Sequence, residues 1–261
     1  MIFIMKKAVY FAAMLLTGLM MACSGNSQKE TDNKKSTDIP ETPVEQTEPV
    51  DNCHNESTVL LDLDEAEDTL WYQGNVFASY PIPETVRARM QGKSMKDNAR
   101  IGYDQLRYLT LPYYDFDGNI QNGEMVCNKA IAHDLLCIFR DLFSEEYPIC
   151  SIRLVDDFDA DDEASMEANN TSCFNYRTVP GTNVLSRHAL GRAVDVNPLQ
   201  NPYIRGSKVH PATATEYVDR TKDFPHKIDK DDYCKKVFTS YGFTWGGIWR
   251  HKDYQHFDKR Q

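Results

Sequence analysis

The sequence predicts an α+β fold, and three observations carry that expectation. Runs of strand character, residues 106–114 and 193–197 among them, are short and scattered along the chain. Ile131, Leu135, Ile138 and Leu142 recur instead at the helical period, as do Val237, Phe238 and Tyr241. The two kinds of segment are mixed without the regular alternation that builds a parallel βαβ sheet.

The folded domain is expected over residues 69–261, behind a leader and a tether. Lys6 and Lys7 precede an uncharged apolar run over 8–21, and Ala22 is a small residue before Cys23, so residues 1–22 read as an export signal. The run is too short for a comfortable membrane span. Cys23-Ser24-Gly25-Asn26 resembles the acylated cysteine of a bacterial lipoprotein, with Met20 where the usual motif has Leu. Acylation would hang the protein from a membrane surface without a span; an ordinary secretory signal is the alternative. Residues 23–68 are expected to form a disordered tether, because 24–51 hold almost nothing apolar and cannot offset the entropy of ordering. The 261-residue chain has a formal net charge of −10 and no basic stripe, which argues against nucleic-acid partners. Of 7 cysteines, those beyond Cys23 are even in number, which permits disulfides in an exported chain. Free buried thiols are the alternative.

Within the domain, Leu70-Trp71-Tyr72 and Val76-Phe77-Ala78 are short apolar runs that open the fold near Asp68. Pro81-Ile82-Pro83 breaks the chain before a helix over 84–90. Residues 106–114 read as a strand, and Asp115-Phe116-Asp117-Gly118-Asn119 as a turn by composition. A calcium loop would need a terminal Glu that this stretch lacks. Asn128 can cap the helix through 131–142, and His133 falls on its polar side. Beyond Pro148, residues 151–158 read as a strand, 159–170 as a short helix or a loop, and 171–178 as another strand. Residues 201–230, rich in Pro, Thr and charge, read as a loop able to cover a cleft. Asp231 opens the last helix, with Tyr233, Val237, Phe238 and Tyr241 inward and Gly242 closing it in a left-handed cap. Phe243-Thr244-Trp245 reads as a strand leading to Gly246-Gly247.

Two clusters carry the chemistry. The alternation Ala193-Val194-Asp195-Val196-Asn197 buries the valines and turns Asp195 to the other face. Gly191 lets the backbone bend so that His188 can return to the side of Asp195. Near the C-terminus, His256 and Asp258 share one face of a short strand while Phe257 points inward, and Asp253 precedes them. Two imidazoles and one carboxylate could hold a zinc ion and leave its fourth position open, as a catalytic site requires. His251 is an alternative ligand. Trp245 and Trp249 could line the cleft or belong to the core, and Ser186 could meet a ligand or brace a turn. The partners that orient the imidazoles stay open at this level, with Asn197 and Asp258 as candidates.

Ser186-x-His188-x-x-Gly191-x-Ala193-x-Asp195, then Trp245-Gly246-Gly247-x-Trp249 and Asp253-x-x-His256-Phe257, resembles the zinc peptidases of bacterial cell walls. These include the vancomycin-resistance D,D-carboxypeptidases and the phage L-alanyl-D-glutamate endopeptidases. The likeness covers about residues 100–258 and is to the endolysin-like branch, where Gly-Gly-x-Trp precedes Asp-x-x-His-Phe. It implies zinc on His188, Asp195 and His256, Asp253 as general base, and the small α+β fold shared with the Hedgehog signalling domain. It also implies an upstream Arg facing the developing oxyanion, for which Arg177 is the first candidate and Arg153 the second. An ordinary ion-paired arginine is the alternative for both. Ser186 and Trp249 are the candidate substrate contacts.

Two functions compete. One is hydrolysis of peptidoglycan stem peptides, D,D- or L,D-carboxypeptidase or endopeptidase, by an exported monomer that meets the membrane only through a lipid anchor. The other is a zinc-containing binding module that recognises a wall peptide or protein without cutting it. Asp253 favours the first, because a binder needs no base beside its metal.

Overall fold

The computed structural model describes residues 61–179 and 182–260. The expected signal, Cys23 and most of the expected tether lie outside the described residues. Leu61 and Ala66 already pack against buried side chains of the domain.

Strands β1 (Asp68–Tyr72), β2 (Asn75–Tyr80), β3 (Leu106–Tyr114) and β4 (Ile120–Asn128) form an antiparallel sheet in that order. Alternation along β3 sends Leu109, Leu111 and Tyr113 to one core and Leu106 and Tyr108 to a second, so both faces of the sheet are covered. Helix α1 (Glu84–Met90) covers the second core with Val86 and Met90. Helix α2 (Ala132–Ser144) covers the first, and Ile131, Leu135, Ile138 and Leu142 are all buried there. Asn128 caps the 3-10 turn that leads into α2 by accepting from the Ala130 amide. His133 stays largely exposed, its Nδ1 2.7 Å from Asp68 Oδ2.

Strand β4 goes beyond the sequence expectation, because Asn122, Gly123 and Glu124 interrupt its apolar pattern. It pairs with β3 along its whole length, from Leu106↔Asn128 to Tyr114↔Ile120. Glu124 is tolerated at full burial because Arg89 Nη1 (2.9 Å) and the Tyr108 hydroxyl (2.7 Å) both donate to its carboxylate.

The strands expected over 151–158 and 171–178 shrink to β5 (Ser151–Ile152) and β6 (Asn170–Thr171), a parallel pair. Asn170 explains the first loss. Its side chain accepts from the Arg153 amide (2.8 Å) and donates to the Arg153 carbonyl (3.0 Å), taking the groups a neighbouring strand would use. The chain then turns through Val155–Phe158 into helix α3 (Asp162–Glu167). Residues 172–176 stay extended but change partner at each step, bonding Asp195, Val126, His188 and Ser94 in turn.

The C-terminal half builds two further small sheets. Strand β7 (Ala193–Asp195) is followed by β8 (Tyr203–Arg205) and β9 (Lys208–His210), then α4 (Tyr233–Ser240), β10 (Thr244–Trp245), β11 (Lys252–Asp253) and β12 (His256–Asp258). One sheet has the order β10-β12-β7 and the other β11-β8-β9. The segment over 201–230 is therefore not simply a loop: its hairpin β8–β9 adds to β11 with Tyr203 opposite Asp253. In α4 the cap is Asp232, and Cys234, Val237 and Phe238 face inward. Tyr233, the first residue of α4 and at the edge of that stripe, is 37% exposed, contrary to the inward position expected for it.

Cys127, Cys137, Cys173 and Cys234 are free and buried, while Cys150 is disulfide-bonded. Most of these cysteines thus act as small apolar side chains and not as a framework of three disulfides. No helix among the described residues is long and apolar enough to cross a membrane.

Candidate metal centre

Phe257 decides which way β12 faces. Its ring is fully buried and stacks on Phe238 of α4, with centroids 4.3 Å apart. Alternation then turns His256 and Asp258 to the opposite side. Val194 anchors β7 in the same core and turns Asp195 outward. The antiparallel register places His256 directly across from Asp195, so side chains 61 residues apart in the chain meet within bonding distance.

His188 reaches them from a 3-10 turn over His188–Leu190, closed by Gly191 at φ +62°. A Cβ at Gly191 would come within 2.6 Å of the Asn128 amide nitrogen, so glycine is required both for the left-handed backbone and for the close approach. Asn128 ties the turn down, its amide donating to the Gly191 carbonyl (2.8 Å) and its Nδ2 to that of Leu190 (3.0 Å). His188 Nδ1 donates to the Cys173 carbonyl at 2.7 Å, which leaves Nε2 as a lone pair pointing at the cluster. That carbonyl comes from the extended segment 172–176 and is the orienting partner. Asn197 and Asp258 do not serve: Asn197 binds the Cys150 amide and the Pro148 carbonyl, and Asp258 lies 3.6 Å from Arg187 Nε.

The atoms placed to hold a metal are His188 Nε2, His256 Nδ1 and a carboxylate oxygen of Asp195. His188 Nε2 lies 3.2 Å from His256 Nδ1 and 3.2 Å from Asp195 Oδ2, and His256 Nδ1 lies 2.9 Å from Asp195 Oδ1. Bonds of about 2.0–2.1 Å arranged tetrahedrally would set their ends about 3.3 Å apart, close to these spacings. All three residues are buried. With the His188 proton committed to Cys173, three lone-pair-bearing groups converge on one point, and only a proton or a cation can relieve that crowding. The set therefore fits a small divalent metal ion.

The electrostatics without metal agree. Burial alone would push the His256 imidazole down, but the hydrogen bond and charge of Asp195, with Asp253 and Asp258 behind it, raise it to about 9. Burial would push Asp195 up, yet His188 and His256 hold it well below the usual carboxylate range. Asp253 is the opposite case. Burial drives its carboxyl up to about 7, reinforced by Asp195 and opposed by the two imidazoles.

Asp253 sits on β11 with Oδ1 buried and without a hydrogen-bond partner. Its position depends on Gly246, where a Cβ would fall 2.6 Å from the Asp253 carbonyl and 2.8 Å from its Cβ. The metal cluster and Asp253 line one cavity of about 700 Å³. Ser186 and Trp249 border the cavity as well; Ser186 Oγ also accepts from the His188 amide (3.3 Å), so it braces the turn, and the Trp249 ring lies 5.1 Å from that of His256. Arg177 borders the cavity with Nη2 2.7 Å from Asp162 of α3. Arg153 does not: it pairs with Asp157 and lies over the Phe158 ring. His251 lines the rim but is outside the three-residue cluster. Trp245 belongs to the core, its Nε1 donating to the Tyr254 carbonyl at 2.8 Å.

Sequence reasoning missed two parts of the cleft. Gln255 is buried with Oε1 unpartnered and its Nε2 directed at Met166 Sδ. The wall from hairpin β8–β9 is clasped to α3 by Glu163, whose carboxylate takes His210 Nδ1 (2.9 Å) and the Ala212 amide. No local motif marks either, because both depend on pairing across distant segments.

Residues 180–259 match the model of a family described as D-alanyl-D-alanine carboxypeptidase. The matched span is less than half of the chain, and it contains His188, Asp195, Asp253 and His256, with Arg177 just ahead of it. Neither a curated protein nor a solved structure matches the chain. The C-terminal part of this chain is thus similar to peptidases of that family, and the candidate metal cluster lies inside the region of similarity.

Proposed function

We propose that the chain is a zinc metallopeptidase that hydrolyses peptide bonds in peptidoglycan stem peptides. The observation that carries this reading is the convergence of His188, Asp195 and His256 at tetrahedral spacing on the wall of a large cavity, beside a carboxylate that holds none of them. Two imidazoles and a carboxylate with no sulfur suit zinc with one position open. When bound there, zinc would supply Lewis acidity, lowering the pKa of water from ~15.7 toward ~7 and polarising a carbonyl. Asp253 Oδ1 takes the proton of the attacking water and returns it to the leaving amine, a transfer worth about 10²–10⁴ in rate. A buried carboxylate with an unpartnered oxygen beside the candidate metal position is placed to do both. Arg177 sits where its guanidinium can face charge developing on the substrate oxygen. Ser186 and Trp249 border the space a substrate would fill.

The fold on this reading is the one shared by these peptidases and the Hedgehog signalling domain. The protein works outside the cytoplasm as a monomer, anchored through acylated Cys23 and the tether that follows, with no nucleic acid as partner. The test is incubation of purified protein with muropeptides, with and without chelator, followed by mass spectrometry of the products. Chelator-sensitive cleavage is expected. Zinc bound in stoichiometric amount with no cleavage would favour the binding module instead.

A further inference from the structure

A second cavity, of about 500 Å³, shares Arg177 with the metal cleft. Lys96, Arg100 and Arg177 line it together with Asn98 and Asn183, and among the described residues no acidic side chain does. In a chain of net charge −10, three cations gather around this one concavity. Among the described residues neither Lys96 nor Arg100 has an ion-pair partner, and Arg177, although paired with Asp162 through Nη2, keeps its Nε buried and unpartnered. The segment bearing Lys96 and Arg100 is fixed in place: the Tyr176 hydroxyl accepts from the Arg100 amide (3.2 Å) and donates to the Asn98 carbonyl (3.3 Å). Lys96 and Arg100 lie far outside the span matched by the family model.

We infer that this annex is a substrate subsite that takes a carboxylate of the peptide on the far side of Arg177 from the metal cluster. The inference rests on reading the main cleft as a peptide site, and it specifies the substrate as an acidic peptide long enough to reach from one cavity into the next. Arg177 then has three neighbours to serve, Asp162 and the developing oxyanion on the cleft side and the incoming carboxylate on the other. The guanidinium suits this, because its five N–H donors fan out in a plane. Lys96 and Arg100 add charge at the entrance, where solvent and salt reach them, so their effect falls with ionic strength.

The test reads binding and not turnover. A stem-peptide carboxylate and its carboxamide twin are titrated by calorimetry into the full-length protein in the presence of chelator, and into a Lys96→Gln/Arg100→Gln variant. The carboxylate peptide is expected to bind the wild-type protein about tenfold more tightly, a difference of the size a few exposed charge contacts supply. The preference is expected to shrink to less than about threefold in the variant and in high salt. Equal binding of the two peptides, no binding of the carboxylate peptide, or a preference that survives both substitutions would overturn the inference. Cleavage is followed separately after zinc is restored. A preserved carboxylate preference without cleavage would count against the peptidase reading and leave the subsite standing.

Discussion

At the scale of single residues, the three proposed metal ligands and Asp253 differ in what they can lose. Asp253→Asn keeps the side-chain volume and leaves His188, Asp195 and His256 untouched. The variant is expected to retain stoichiometric zinc while hydrolysis of a stem peptide falls by about 10²–10⁴; full activity would remove Asp253 as the base. His188→Ala deletes a ligand whose orientation is fixed by the Cys173 carbonyl, so elemental analysis is expected to find the metal lost. Metal binding also carries a proton signature. Because Asp195 raises the His256 imidazole to about 9, that ring is protonated at neutral pH in the metal-free protein. A cation must displace the proton, so affinity rises with pH up to about 9 and weakens as pH falls. Calorimetry at pH 7 in buffers of different ionisation enthalpy is expected to show about one proton released per ion, and no release would contradict the arrangement of the cluster.

At the scale of elements, the site is made by registers that single residues enforce. Gly246 lets the chain pass so close to Asp253 that any side chain would meet backbone. Gly246→Ala is expected to displace Asp253 and lower turnover about a hundredfold or more, the usual effect of a ~1 Å misplacement, with metal content retained. Unchanged kinetics would show that the close approach does not matter. The elements were unequally legible in the sequence. Strand β3, helices α1 and α2, and the alternation at Ala193–Asp195 follow from local periodicity, and so do the inward Phe257 and the outward His256. The expected strands over 151–158 and 171–178 failed for a non-local reason: Asn170 supplies hydrogen bonds that a strand would have supplied, and residues 172–176 divide theirs among four segments. The hairpin β8–β9 was hidden because its stabilising partner, β11, lies some forty residues downstream. The orienting group of His188 was hidden because a backbone carbonyl has no side-chain signature.

At the scale of the whole molecule, one extensive sheet with covered faces supports two small ones, and side chains from several distant segments line a single cleft. The long sheet contributes no ligand; it supplies the packing against which Phe257 and Val194 fix their strands. Sequence spacing could nominate His188, Asp195 and His256, but only the pairing of β7 with β12 and the turn closed by Gly191 make them neighbours. The central claim is that these three side chains together hold one catalytic zinc ion. X-ray absorption at the zinc edge of the loaded protein, combined with metal content of the His188→Ala, Asp195→Ala and His256→Ala variants, tests it most directly. The account predicts one ion per chain, nitrogen and oxygen neighbours at about 2.0–2.2 Å, no sulfur, and loss of the ion in each variant; sulfur in the coordination shell, or an ion that survives all three substitutions, would contradict it.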